Sequence, residues 1–376
     1  MNKQKRKNQQ LFVTFMGLLL AVAMGLSLLL PLFTNQTLNT PQAQPTDIPV
    51  PTVPAPIEDL SIIQFNEPYL HPSGLFTSTI PTGYSPVNEF NNTGEAQVTL
   101  RNPNQLSVIE QRVLRPTEGI DLSSPDTFGD FFNDSWLGAS WREYSTWEET
   151  DRRTEDDQLV IDFNLTRTRQ QYIARQTVTT DGTWLYSTRV VTPSNAASNL
   201  RYLLENQAAN LDIVDAFVGQ PIQWRAYFDD ANDFIIRYPG DWQVVDSAPG
   251  APTSITGADA QLRVETVASD FADEDAVTAY VEGLRSGTDV QSVETVEVDG
   301  LSGYRVAYTY TTIDGASQSG LVQILPTDAF AYVQNLLLDN NSESDLNSVS
   351  EDNVAYNTVQ LLNSFLQVPD LNLNAE

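Results

Sequence analysis

The sequence predicts an α+β protein: two tandem domains, each a central antiparallel sheet flanked by helices, behind an N-terminal transmembrane helix and a proline-rich stalk. Three observations carry this expectation. Every lysine of the 376-residue chain lies in its first seven positions, ahead of a charge-free apolar run from Leu11 to Phe33. Six prolines then punctuate residues 34–57. Finally, one pattern of turn, short strand, proline stop and bulky aromatic occurs at Tyr69 and again at Tyr227.

The basic segment 1–10 carries Lys3, Lys5, Arg6 and Lys7, and the first acid is Asp47. The 23 residues from 11 to 33, at ~1.5 Å rise each, span roughly 34 Å, enough to cross a ~30 Å hydrocarbon core. Gly17, Gly25 and Ser27 are tolerated in such helices, and Pro31 falls near the outer end. The cations keep the N-terminus cytoplasmic and send the rest of the chain across. A cleaved secretory signal is the alternative. It has the same charged start but a shorter apolar stretch and a small-x-small exit, whereas Phe33, Thr34, Asn35, Gln36 and Thr37 follow here. With no cysteine, a lipid-modified anchor is excluded. In the stalk, 34–57, Pro41, Pro45, Pro49, Pro51, Pro54 and Pro56 favour extended polyproline-like geometry.

Beyond the first seven residues, 16 arginines face 49 acids. So acidic a surface repels phosphate backbones and disfavours nucleic acid. The absence of cysteine means each domain is held by its core alone, and it removes thiol nucleophiles and thiolate metal sites. No lysine follows the apolar run, so Schiff bases, Ser-Lys dyads and P-loops are excluded. The one histidine, His71, precedes Pro72 and reads as a solvated turn residue, since no Gly-x-Ser-x-Gly elbow accompanies it.

The two copies align without gaps from Tyr69 to Val87 on Tyr227 to Val245. Phe76 meets Phe234, Pro81 meets Pro239, and Tyr84 meets Trp242. Ala96-Gln97-Val98 is matched with Ala260-Gln261-Leu262, and Trp184-Leu185-Tyr186 with Phe330-Ala331-Tyr332. Three anchors in one order point to a tandem duplication, with domains at 58–215 and 218–369 and a tail at 370–376. In each copy a helix follows the early strands, about Thr127 to Gly138 and Glu274 to Arg285, the latter capped by Asp273. Alternating strands come next: Leu159 to Thr166, Tyr172 to Thr179 and Trp184 to Val191, then Tyr304 to Thr311, Gly320 to Leu325 and Phe330 to Leu336. A last amphipathic helix closes each copy; in the second, Val354, Leu361, Leu362 and Phe365 form its stripe. The short connection holds Gly219 and Pro221, and Trp224 just beyond it is placed to pack between the domains.

At Phe234-Ile235-Ile236-Arg237-Tyr238-Pro239-Gly240-Asp241-Trp242 the chain resembles the PsbP/Mog1-like family, whose opening strand ends in a Tyr-Pro-x-x-Trp turn. The first copy keeps the form from Phe76 to Tyr84, with Tyr84 in the tryptophan's place. The resemblance implies a central antiparallel sheet between helices, usually a binding or assembly module and not an enzyme. The basic and histidine-bearing surfaces that some members use are missing here, so no family partner carries over.

Trp136, Trp141 and Trp147 are the candidate partner or ligand face; packing of these rings onto the sheet is the competing reading. Asp229, Asp230, Asn232 and Asp233 suggest calcium, but Phe234 stands where a ligand is needed. Glu343, Asp345, Glu351 and Asp352 complement a helix N-terminus without a metal. No catalytic, cofactor or metal residues are assigned. The functional expectation is a membrane-tethered, extracytoplasmic binding or assembly protein without catalysis, its partner another envelope protein. A small-ligand receptor is the alternative, and a hydrolase comes third.

Overall fold

Apolar residues on the central strands alternate between two faces, and each face finds a different cover. The computed structural model describes residues 53–245, 248, 250–258, 260–268, 271–338 and 358–368. The apolar run, the basic segment, most of the stalk, the C-terminal tail, Val354 and the acids Glu343, Asp345, Glu351 and Asp352 lie outside the described residues. Among the described residues no helix is long and apolar enough to cross a membrane. The chain divides into Met1–Thr52 and Val53–Glu376, and both sheet-rich domains belong to the second unit.

In the first domain β1 (Glu67–Leu70), β2 (Phe76–Ile80) and β10 (Asp212–Ile213) make a small sheet in the order β1-β2-β10. The strands β3 (Ser85–Asn91), β4 (Glu95–Asn102), β5 (Ser107–Leu114), β6 (Thr146–Glu155), β7 (Gln158–Arg167), β8 (Gln170–Thr180) and β9 (Leu185–Pro193) make a seven-stranded one. Its order is β3-β4-β5-β9-β8-β7-β6, antiparallel throughout. The helices are α1 (Pro125–Phe128), α2 (Asp134–Ser140) and α3 (Ala197–Ala209). In the second domain β11 (Arg225–Asp229), β12 (Phe234–Tyr238) and β20 (Phe365–Gln367) repeat the small sheet. There β13 (Gln243–Val245), β14 (Thr253–Thr256), β15 (Ala260–Val267), β16 (Asp289–Val298), β17 (Leu301–Thr311), β18 (Ser317–Pro326) and β19 (Ala331–Leu338) take the order β13-β14-β15-β19-β18-β17-β16. Its helices are α4 (Glu274–Leu284) and α5 (Thr358–Asn363). The two strings of elements have the same order.

Strand β9 shows how the layers arise. Leu185 and Val191 join Phe128, Phe132, Leu137 and Trp141 beneath α1 and α2. Tyr186 and Val190 go to the opposite face, with Leu75 and Phe76 of the small sheet and Leu200, Leu203 and Leu204 of α3. In the second domain α4 covers one face through Val277 and Val281, while β12, α5 and β20 cover the other. Each large sheet is therefore flanked by helix on one side and by helix plus a small sheet on the other. These are sheet-dominated domains with few helices, and much of the cover expected to be helical is strand.

Four expectations are corrected. The helix expected from Thr127 to Gly138 is two short helices around a 3₁₀ turn, Gly129–Phe131, because Asn133 is extended and caps a fresh start by accepting from Ser135 and Trp136 N–H. The closing stripe does not stay helical to Phe365, which opens β20 and pairs with Ile236; the free edge of β12 captures it. Ala96-Gln97-Val98 lies on β4, whereas Ala260-Gln261-Leu262 lies on β15, whose counterpart in the strand order is β5. The other two anchors fall on corresponding strands. Trp224 sits in the second domain's own core, and its carbonyl, with that of Ile222, accepts from Asn91 Nδ2 of the first domain at 2.7 and 3.1 Å.

The paired motif forms the same turn twice, with Tyr84 N–H donating to Pro81 and Trp242 N–H to Pro239. The domains meet around Arg237 of β12, whose residue is fully buried. Its Nε donates to the Ser73 carbonyl at 2.6 Å, Nη2 to the Pro221 carbonyl at 2.6 Å and Nη1 to Gln220 Oε1 at 3.1 Å. Ala226 N–H donates to the Pro72 carbonyl at 2.7 Å, and Gly74, at φ +73°, leaves no room for a Cβ against Ala226. Replacing Arg237 by Met strands the buried Ser73 carbonyl and the half-buried Pro221 carbonyl, each worth about 1–3 kcal/mol when unsatisfied, while Gln220 Oε1 keeps the Ser364 hydroxyl at 2.7 Å. Arg237→Met is expected to cost about 3 kcal/mol or more and to split a single urea transition, followed by tryptophan fluorescence, into two.

Candidate functional site

Period-2 alternation places Glu95, Gln97, Thr99 and Arg101 of β4 on one face, and register does the rest. Thr99 pairs with Glu110 of β5, Glu110 with Arg189 of β9, and Gln97 with Arg112. This polar face continues the apolar floor beneath α1 and α2, but α2 leaves it open on the side of the edge strand β3. The result is a groove of about 500 Å³, floored by β3, β4, β5 and β9 and walled by α2 and the residues that leave it.

Trp136 and Trp141 come together here, and Trp147 does not line the groove. Trp141 is 1% exposed, edge-on to Phe163 with ring centres 4.9 Å apart, and carries the Arg189 guanidinium 3.9 Å from its ring centre. Trp136 is half-buried, edge-on to Phe132 at 4.8 Å and 5.4 Å from the Arg112 guanidinium. Trp147 is half-buried against the same apolar cluster. The three tryptophans are thus first of all packing residues, and only two of them reach the groove.

The charges are layered. Glu110 accepts from Arg189 Nη2 and, at 3.1 Å, from Arg112 Nη2; Arg112 Nη1 also pairs with Glu95 at 3.4 Å. Ser140 Oγ on α2 accepts from Arg189 Nη1 at 2.7 Å, tying the wall to the floor. Burial works to raise the Glu110 pKa, yet the two arginines hold it below the usual carboxylate range. Burial pushes Arg189 down to about 10, which leaves it charged at neutral pH. At the mouth Glu143 lies between Arg101 at 3.1 Å and Arg167 at 3.4 Å. The sequence reading missed these charges, because a polar face on an alternating strand looks like solvent; only the α2 wall makes it a groove. The second domain lacks the set: where β5 and β9 bring Glu110 to Arg189, β15 and β19 bring Arg263 to Asn335, which accepts from Tyr308 Oη at 2.8 Å.

Two other clusters are closed. His71, expected in solvent, is fully buried: Nε2–H donates to the Gln97 carbonyl at 3.0 Å, and Nδ1 accepts from Ser73 Oγ at 2.8 Å and Ser73 N–H at 3.1 Å. The turn folds inward because the ring stacks on Phe76, centres 4.6 Å apart. A serine hydroxyl on an imidazole resembles a catalytic pair, but both residues are inaccessible and a carbonyl stands where an orienting carboxylate belongs. Asp229 spends its oxygens on Ala231 N–H, Asn232 N–H, Asn232 Nδ2 and Thr253 Oγ1, all at 3.0–3.1 Å, which builds the turn before β12. Among the described residues no group of three or more metal-binding side chains converges. Another depression, about 970 Å³, is an open acidic cleft around Arg152, which is already bonded to the Gly129 and Phe132 carbonyls and to Glu149.

No family model matches the chain, and no curated protein does. Among solved structures it is similar to cyanobacterial PsbP (CyanoP) from Synechocystis, at 16% identity over 39% of this chain and 94% of that one, with a TM-score of 0.30. A protein of unknown function, PA94 from Pseudomonas aeruginosa, is similar at 14% identity over 33% and 86%, TM-score 0.21. The immunity protein TplEi from the same species is similar at 10% over 77% and 98%, TM-score 0.23. A PsbP is thus among the structures this chain resembles, but at such scores the likenesses carry no argument of their own.

Truncating a buried aromatic costs about 3–5 kcal/mol, so Trp141→Ala is expected to unfold the first domain at markedly lower urea, and Trp136→Ala to shift the midpoint less. Burial, reinforced by the Arg237 charge, lowers the His71 pKa from 6.5 to about 4, against the pull of the Gln97 carbonyl. The unfolded chain then takes up a proton below about pH 6.5 that the folded chain refuses until about pH 4. Stability contributed by neutral His71 is therefore full above that window and falls through it as pH drops, by up to about 3 kcal/mol. Urea midpoints of the parent and of His71→Gln, compared from pH 7.5 to 4, are expected to converge as pH falls; parallel curves would contradict this.

Proposed function

We propose that the chain is a membrane-tethered, extracytoplasmic binding protein without catalytic activity, built from two tandem PsbP/Mog1-like domains that arose by duplication. The run from Leu11 to Phe33 would anchor it, with residues 1–10 cytoplasmic, 34–57 as the stalk, and the domains at 58–215 and 218–369. The duplication is supported by the shared strand order and by the Pro81–Tyr84 and Pro239–Trp242 turns. The orientation is supported by the charge order of the sequence alone.

The observation that carries the binding reading is the groove on the first domain. It is an open concavity of ligand-pocket size where aromatic and charged side chains converge. Among the described residues the large apolar side chains that are well exposed, Ile62, Val87, Val245 and Ile313, are scattered and form no patch for a broad protein interface. That favours a small ligand or one projecting segment of an envelope partner over a wide docking face. Nucleic acid is disfavoured by the excess of acids.

A photo-crosslinking residue at Val87, on the groove rim, is expected to trap one reproducible adduct in intact cells. The same residue at the exposed Ile313 of the second domain should trap none. Equal or absent trapping would contradict the groove as the site. Protease added to those cells should degrade the acidic domains, and full protection would contradict the orientation.

A further inference from the structure

We propose that the groove is a site for a small organic oxyanion, a carboxylate or phosphate monoester borne on a flat apolar body. This rests on the binding reading above and adds the ligand's chemistry. In a chain with a formal charge of −29, four arginines line this groove: Arg101, Arg112, Arg142 and Arg189. Its three acids are already spent: Glu110 between Arg189 and Arg112, Glu95 on Arg112, and Glu143 between Arg101 and Arg167. Arg142 is exposed, and no ion pair to it is found among the described residues. The local balance is cationic against the field of the whole molecule.

Hydrogen bonding points the same way. Three buried nitrogens on the groove's lining residues have no partner: Arg101 Nε, Arg189 Nε and Trp141 Nε1. Arg189 and Trp141 are 2% and 1% exposed. Each of these groups can only donate; they lie beneath the lining and are closed to solvent, and no acceptor of the lining is orphaned, so the donor excess around the groove is unmatched. In a partly dry cleft such an excess favours an acceptor-rich, negatively charged guest. The half-buried Trp136 ring, with Val87 and Phe90 at the rim, offers an apolar surface for the rest of the molecule. The Glu110–Arg189–Ser140 contacts hold the arginines in place before any ligand arrives.

The test is a charge series on the full chain in nanodiscs, followed by calorimetry: benzoate, phenyl phosphate, benzamide and benzylamine. Both anions are expected to bind, with affinity falling as salt rises, while the neutral and cationic analogues do not. Arg101→Gln and Arg142→Gln, both partly exposed and therefore safe for folding, should each weaken anion binding about tenfold with the urea midpoint unchanged. Benzamide binding as well as benzoate, failure of both anions at millimolar concentration, or unaltered affinity in the folded Arg101→Gln/Arg142→Gln double variant would overturn the proposal. If the Val87 adduct is trapped while the anion series fails, the oxyanion alone falls; if neither appears, the binding reading falls with it.

Discussion

The arrangement of the two domains depends on one buried cation. Taking a guanidinium out of water costs several kcal/mol, and Arg237 has no carboxylate among its hydrogen-bond partners. Burial lowers its pKa to about 9, so it enters the interface charged. What offsets the cost is three oxygens from two different segments, the Ser73 carbonyl of the first domain and Gln220 and Pro221 of the connection, with the Phe217 ring 5.5 Å from the guanidinium. The β12 backbone at the same residue is occupied as well, its N–H donating to the Ser364 carbonyl ahead of β20. A single residue thus reads the positions of the first domain, the connection and the segment that leads into β20. Hydrophobic contact between Ile235, Leu366 and the first domain's core supplies area without that directional demand.

The turn that Arg237 grips is held from its other side by His71. The imidazole reaches the Gln97 carbonyl of β4, and β4 floors the groove. Contacts therefore run without a break from β12 through Ser73 and His71 to the groove floor. Burial keeps His71 neutral, and a protonated ring would in addition place a second cation beside Arg237. The sole histidine is a structural part of the domain contact and stands outside the groove.

The strands were legible where alternation was clean and turns were marked, as from Leu159 to Val191 and from Tyr304 to Leu336. The Phe76 and Phe234 motif was legible because a proline stop and an aromatic three positions on are a local signal. Misreadings arose where the signal is not local. Phe365 fits a helical stripe and a strand equally, and only the open edge of β12 decides between them. Ala-Gln-apolar starts more than one strand, so that anchor slid from β5 to β4. His71 beside Pro72 looks like a surface turn until Phe76 folds beneath it. The tryptophans were found by their density, whereas the arginines beside them are spread from Arg101 to Arg189 and meet only through register.

Shared strand order with unshared chemistry explains why the groove belongs to one domain. The position that carries Arg189 on β9 carries Asn335 on β19, and Tyr308 occupies it with a hydrogen bond instead of a charge. Opposite, Arg263 turns to Glu265 at 2.8 Å and stays half in solvent. The helix differs too: α4 packs Val277 and Val281 onto Tyr308 and its neighbours, with no tryptophan pair. A sheet of this kind always has a face to cover, and covering it fully gives a core while covering it partly gives a site. In the second domain the face under α4 is apolar, and that domain also contributes Arg237 to the contact between the two. In the first domain α2 ends at Ser140 and leaves a groove open over β3, β4, β5 and β9, and the rungs that face it are the ones that carry the charges.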